Sequence, residues 1–137
     1  MSPVSPPAEP PLTPAAAAPH RRVLVVDDDA HSRDAVARRL TEEGYDATVA
    51  GDGEEASGLL VSWHPDLVLT DLNMPRLDGR GLLARVRAQL PQIPVIVVSA
   101  RAGAESTSLA RMGADGFFTK PVQVDQLLAR IHDLIGH

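Results

Sequence analysis

Val23-Leu24-Val25-Val26-Asp27-Asp28-Asp29 joins four apolar residues directly to three carboxylates. An apolar run without alternation reads as a strand buried on both faces, the pattern of a parallel sheet covered by helices on each side. Acids set against such a core are costly unless something offsets their charge. For clustered carboxylates the usual offset is a hard divalent cation such as Mg²⁺. A second run, Leu67-Val68-Leu69-Thr70, ends the same way at Asp71. Two strands that deliver acid to one end of a sheet suggest a metal-assisted phosphoryl site.

Outward from these two runs the pattern alternates. Strands are expected over residues 23–26, 46–50, 67–70, 95–98 and 117–118. Helices are expected over 32–43, 54–64, 81–90, 105–112 and 124–135. The second helix repeats Ala56, Leu59, Leu60 and Trp63 at i, i+3, i+4 and i+7, and the last carries Val124, Leu127, Leu128, Ile131, Leu134 and Ile135 as a stripe. Gly44, Pro65 and Gly113 are placed to end helices. Five strands alternating with five helices predict an α/β doubly wound parallel sheet, for which five strands suit the order 2-1-3-4-5. That order sets strands 1 and 3 side by side at the topological switch point, where ligands bind outside the carboxyl ends of the strands. Asp27, Asp28 and Asp71 all fall there.

Composition narrows the classes. The 137 residues suit one domain, and the 44% hydrophobic share suffices for a packed core of Leu, Val, Ile and Ala, since aromatics are only 3%. A net charge of −5 argues against nonspecific nucleic-acid binding. The absence of Cys excludes disulfides, thiolate metal sites and a Cys nucleophile. No apolar stretch approaches a membrane span, and no secretory leader pattern opens the chain, so a cytoplasmic location is expected. Residues 1–20 hold seven of the 12 prolines and five alanines without a helix or strand period. They read as a disordered tail or linker ahead of a domain over 21–137. Twelve of the 13 basic residues are Arg, and the exception is Lys120. An ammonium is compact where a guanidinium is planar, so this position suggests a need for a point charge.

Reading the strand ends in turn yields a constellation. The first strand gives Asp27 and Asp28, the third Asp71, the fourth Ser99 and the fifth Lys120. Asp27 and Asp28 can hold Mg²⁺ directly or through water. Asp71 is the candidate nucleophile, because carboxylates form aspartyl-phosphate intermediates. Lys120 supplies a charge for Asp71 or a phosphate oxygen, and Ser99 a short donor.

The pieces VLVVDDD at 23–29, DLVLTDLNMPRLDG at 66–79, PVIVVSA at 94–100 and GADGFFTKP at 113–121 together resemble the receiver domain of two-component response regulators. The resemblance runs from about residue 22 to 135 and implies the flavodoxin-like fold. It further implies that Asp71 accepts a phosphoryl group from a sensor histidine kinase or a histidine phosphotransfer protein. Mg²⁺ or Mn²⁺ would sit in the pocket of Asp27, Asp28 and Asp71, completed by the backbone carbonyl of Asn73. Ser99 matches the switch hydroxyl, Phe117 the switch aromatic, and Lys120 the site lysine ahead of a cis Lys120–Pro121 bond. Phosphorylation would then reshape the surface of the fourth helix, fifth strand and fifth helix for an output protein, the domain being a monomer or a phosphorylation-dependent dimer. Such a domain is not an enzyme beyond assisting its own phosphorylation and dephosphorylation. Two positions depart from the commonest pattern: Phe117 stands where Tyr is frequent, and Val122 where Phe is common after Lys-Pro. Asn73 and Arg101 occupy the positions that tune phosphate lifetime in the family.

Competing readings are weaker. A haloacid-dehalogenase-type phosphohydrolase wants Asp-x-Asp, and Asp71-Leu72-Asn73 lacks the second acid. A receiver-like module that is never phosphorylated would not need the full set of acids, hydroxyl and lysine. Gly51-Asp52-Gly53 is only faintly like a phosphate loop, and no nucleotide-binding motif is present. Pro75 and Gly79 are explained by turn chemistry. The chain stops just after its last helix, so output is expected to pass through a partner, or the chain is one domain of a longer protein.

Overall fold

The computed structural model describes residues 20–74, 76–100 and 102–136. Strand and helix alternate: β1 (Arg22–Val26), α1 (Ala30–Glu42), β2 (Asp46–Ala50), α2 (Gly53–Ser62), β3 (Leu67–Asp71), α3 (Gly79–Gln89), β4 (Val95–Ser99), α4 (Ala102–Arg111), β5 (Gly116–Thr119) and α5 (Val124–Ile135). All strand pairs are parallel, in the order β2-β1-β3-β4-β5. The fold is the expected flavodoxin-like doubly wound sheet.

The uninterrupted apolar runs have a direct cause. Successive strand residues point to opposite faces, and both faces are covered. Leu24 and Val26 pack with Leu60 of α2, Leu82 and Val86 of α3 and Leu109 of α4. Val23 and Val25 pack with Leu40 of α1 and Leu127 and Ile131 of α5. Each such fully buried aliphatic side chain contributes about 1.5–3 kcal/mol relative to exposure.

Element ends differ from expectation by one to three residues, for identifiable reasons. Helices α1, α2 and α3 begin earlier because an Asp caps each: Asp29, Asp52 and Asp78 accept backbone N–H groups of the first turn. Hydrophobic periodicity cannot register a first turn that holds polar residues and glycine. Strands β3 and β4 each extend one residue, to Asp71 and Ser99, as the ladder continues past the apolar run through Leu72 N–H to Val98 O at 3.0 Å. Gly44 and Gly113, both at φ 97°, follow α1 and α4 at the expected stops. Trp63 packs against the core beside α2, and the Arg22 guanidinium lies 5.5 Å from its ring centroid.

Most of the tail (residues 1–19), Pro75, Arg101 and His137 lie outside the described residues. Among the described residues no helix is long and apolar enough to cross a membrane.

Candidate functional site

Parallel strands ending on one rim bring distant residues together. The pairing of β1 with β3 (Val26 opposite Thr70) sets Asp27 beside Asp71. The pairing of β3 with β4 (Asp71 opposite Val98) puts Ser99 at the same rim. The pairing of β4 with β5 (Ser99 opposite Thr119) brings Lys120 there.

The acids converge as expected. Carboxylate oxygens of Asp27, Asp28 and Asp71 lie within 4.8 Å of one another. Asp27 and Asp71 are buried, and Asp28 is exposed. The Lys120 ammonium donates to Asp71 Oδ2 at 3.1 Å and to Asp27 Oδ2 at 3.4 Å. Burial is the largest single influence on Lys120 and pushes its pKa down, but the Asp71 and Asp27 carboxylates together outweigh it and hold it above the ordinary lysine value. The Lys120 amide donates to Ser99 O at 3.0 Å, and the Lys120–Pro121 bond is cis. Three carboxylates facing one ammonium leave the pocket net negative. Hard oxygen donors on this spacing suit a divalent ion of the Mg²⁺ or Mn²⁺ kind, which keeps most of its waters and takes one or two carboxylates.

The other anticipated residues fall as follows. Ser99 is fully buried at the end of β4. Asn73 is exposed, two residues past Asp71 in the loop to α3. Phe117, in β5 opposite Val97, is partly buried and packs on the side of the sheet covered by α2, α3 and α4. Asp29, the third acid of the opening run, takes no part in the cluster. It caps α1, accepting from the His31 amide and the Ser32 hydroxyl, each at 3.1 Å. The Ser32 hydroxyl first, and then the His31 amide, hold its carboxyl below the usual range.

Two features escape sequence reading. Arg33, one turn into α1, donates from Nη1 to the Asp27 carbonyl at 3.3 Å, adding a second cation beside the acids. An arginine in a helix ordinarily reads as solvated surface, so no pattern marks it. Asp52 and Arg76, 24 residues apart, form an ion pair that ties the loop after Asp71 to the start of α2.

Val122, where Phe is common in the family, borders a pocket under the last helix. A cavity of about 480 Å³ lies between the sheet and helices α1 and α5, walled by Val36, Leu69, Val98, Val122 and Leu127 and reaching Asp71. Filling it with Val122→Phe is expected to stabilise the domain by about 1 kcal/mol. The effect would appear as a higher urea midpoint with unchanged slope. A lower midpoint would mean that the walls cannot accept a ring.

Comparison with known proteins agrees with the geometry. The family model described as the response regulator receiver domain matches residues 23–132. The response regulator MprA of Mycolicibacterium vanbaalenii is 39% identical over 115 residues, covering 83% of this chain and 50% of that protein. The MprA protein of Mycobacterium avium is 37% identical over the same length. The chain thus spans about half the length of these curated relatives. Among solved structures, the receiver domain of the Francisella response regulator 1452 superposes with a TM-score of 0.80 at 37% identity, over 85% of this chain and 97% of that one. A CheY-like receiver domain protein from Methanospirillum hungatei gives a TM-score of 0.80 at 30% identity, over 84% and 93%.

Proposed function

This chain belongs to the response regulator receiver domain family of two-component signalling, and from that premise we propose that Asp71 is its phosphoacceptor. The observation that carries the reading is the company of Asp71. It is a buried carboxylate at a strand end, with an ammonium at 3.1 Å and two further acids within reach of one cation.

The donor is a phosphohistidine on a sensor kinase or a histidine phosphotransfer protein. An Asp71 carboxylate oxygen forms its bond to phosphorus as the phosphorus–nitrogen bond of the donor breaks. The imidazole nitrogen keeps the bonding pair, and with its second nitrogen protonated the donor leaves as neutral imidazole. Asp27, Asp28 and Asp71, directly or through water, with the carbonyl of Asn73, would hold Mg²⁺, whose charge lowers the repulsion between carboxylate and phosphoryl group. Lys120 pairs with Asp71 before the reaction and with a phosphoryl oxygen after it. The chain is not an enzyme toward separate substrates; its chemistry is confined to gaining and losing its own phosphoryl group.

Phosphorylation adds roughly one negative charge at Asp71. Ser99, buried at the same rim, is drawn toward the phosphoryl oxygens, and Phe117 turns inward into the space vacated. The surface of α4, β5 and α5 changes shape and is read by an output protein. This is a shift between two populated states, for which a few kcal/mol of differential interaction suffices.

The reading is tested by incubating the purified chain with acetyl phosphate and Mg²⁺ and following intact mass. One phosphoryl group per chain is expected, labile to alkali as an acyl phosphate should be. Chelation of the divalent ion with EDTA is expected to suppress it. Label that is indifferent to EDTA would remove the metal from the account, and label stable to alkali would place it on a group other than a carboxylate.

A further inference from the structure

The loop that follows Asp71 is held at both ends. At its base, Gly79 closes on the phosphoacceptor: its N–H donates to Leu72 O at 2.8 Å, and a Cβ on it would lie 2.5 Å from Asp71 O. At its tip, Arg76 and Leu77 lie against the first turn of α2. A Cβ on Gly53 would stand 2.0 Å from Leu77 O. Beside that contact, the Arg76 guanidinium pairs with Asp52.

The Arg76 side chain is 67% exposed, but three details set the pair apart from a wholly exposed ion pair, which is worth little. Asp52 is buried, only 6% exposed. Its other oxygen caps α2, accepting the Glu55 amide at 2.8 Å, so the carboxylate is already ordered before Arg76 arrives. Arg76 itself sits at φ 66°, a left-handed conformation that costs a non-glycine residue on the order of 1 kcal/mol and persists only where its surroundings hold it.

Asn73 lies between the two clamped ends. We propose that the Arg76–Asp52 pair is a positioning device for the Asn73 carbonyl, and that it thereby sets the affinity of the acidic pocket for Mg²⁺. The proposal rests on the reading of that carbonyl as a metal ligand. Mg²⁺ demands near-ideal octahedral geometry. A carbonyl on a loose loop must be ordered at the moment of binding, and that entropy is lost from the affinity. Asp52 and Arg76 touch neither metal nor phosphoryl group, so they are positioning residues.

The test is calorimetric titration of the purified chain with Mg²⁺, alongside thermal unfolding without it. Asp52→Asn keeps the helix cap, since Asn caps as well as Asp, and removes only the charge that Arg76 needs. Arg76→Gly removes the guanidinium while relieving the left-handed backbone. Each is expected to raise the Mg²⁺ dissociation constant about tenfold, the scale typical of lost support for a metal ligand. The double variant is expected to be no weaker than either single one, because both break the same pair. Arg76→Lys is expected to recover part of the loss. Variants that melt as the parent does and bind Mg²⁺ equally well would overturn the positioning role alone. A parent chain that binds no Mg²⁺ would overturn the metal reading, and this inference with it.

Discussion

Asp71→Asn is expected to leave the folded chain without detectable phosphoryl label from acetyl phosphate and Mg²⁺, a loss of at least about 10³-fold in rate. The amide has the shape of the carboxylate but is a poor nucleophile, and it cannot form an acyl phosphate. Geometry is not the cause of the loss, because the strand that carries Asp71 is buried along its whole length and paired with β1 and β4. Lys120 loses the charge of its 3.1 Å partner but keeps Asp27 at 3.4 Å, so its ammonium is not stranded. Intact-mass measurement over a time course reads the result directly. Labelling of the variant at the parent rate would move the phosphoacceptor elsewhere and would sink the reading of the site.

Gly53→Ala is expected to destabilise the domain by about 3 kcal/mol, toward the upper end of overpacking costs. Two effects compete. Alanine improves helix propensity over glycine by about 1 kcal/mol. Against this, the new Cβ would meet Leu77 O at 2.0 Å, Leu77 Cβ at 2.6 Å and Leu77 C at 2.7 Å. Two of those atoms are backbone and none is the tip of a flexible side chain, so relief requires the loop after Asp71 to shift. Gly58, in the same helix, is the internal control. Among the described residues nothing lies within 4 Å of the place a methyl group would take there, so Gly58→Ala is expected to stabilise by about 0.5–1 kcal/mol. Urea unfolding of the two variants should therefore move in opposite directions. Shifts of the same sign would mean that α2 and the loop after Asp71 do not touch as described.

These two residues mark how far a sequence can be read. Asp71 was legible because its strand is apolar up to an acid, a conflict that demands a chemical explanation. Lys120 was legible because it is the one lysine among arginines. Gly53 was not. In sequence it belonged to Gly51-Asp52-Gly53, a faint imitation of a phosphate loop, whereas in the fold it clears the way for Leu77. Gly79 read as turn chemistry but is also the point where the chain returns to within contact of Asp71 O. Asp29 could be read from sequence only as the start of a loop or a helix cap, and it caps α1.

The sequence by itself determined the sheet, its order and the set of residues on its rim. Hydrophobic runs report burial on both faces, and a residue at the end of a parallel strand can only project to that rim, whatever the connecting helices do in detail. Only the tertiary structure decided what holds the site in place. Arg33 over the Asp27 carbonyl, Asp52 joined to Arg76, and the cavity beside Val122 depend on distances between loops and helix faces. Those distances follow from how whole elements pack against one another, a property that no local period or spacing encodes.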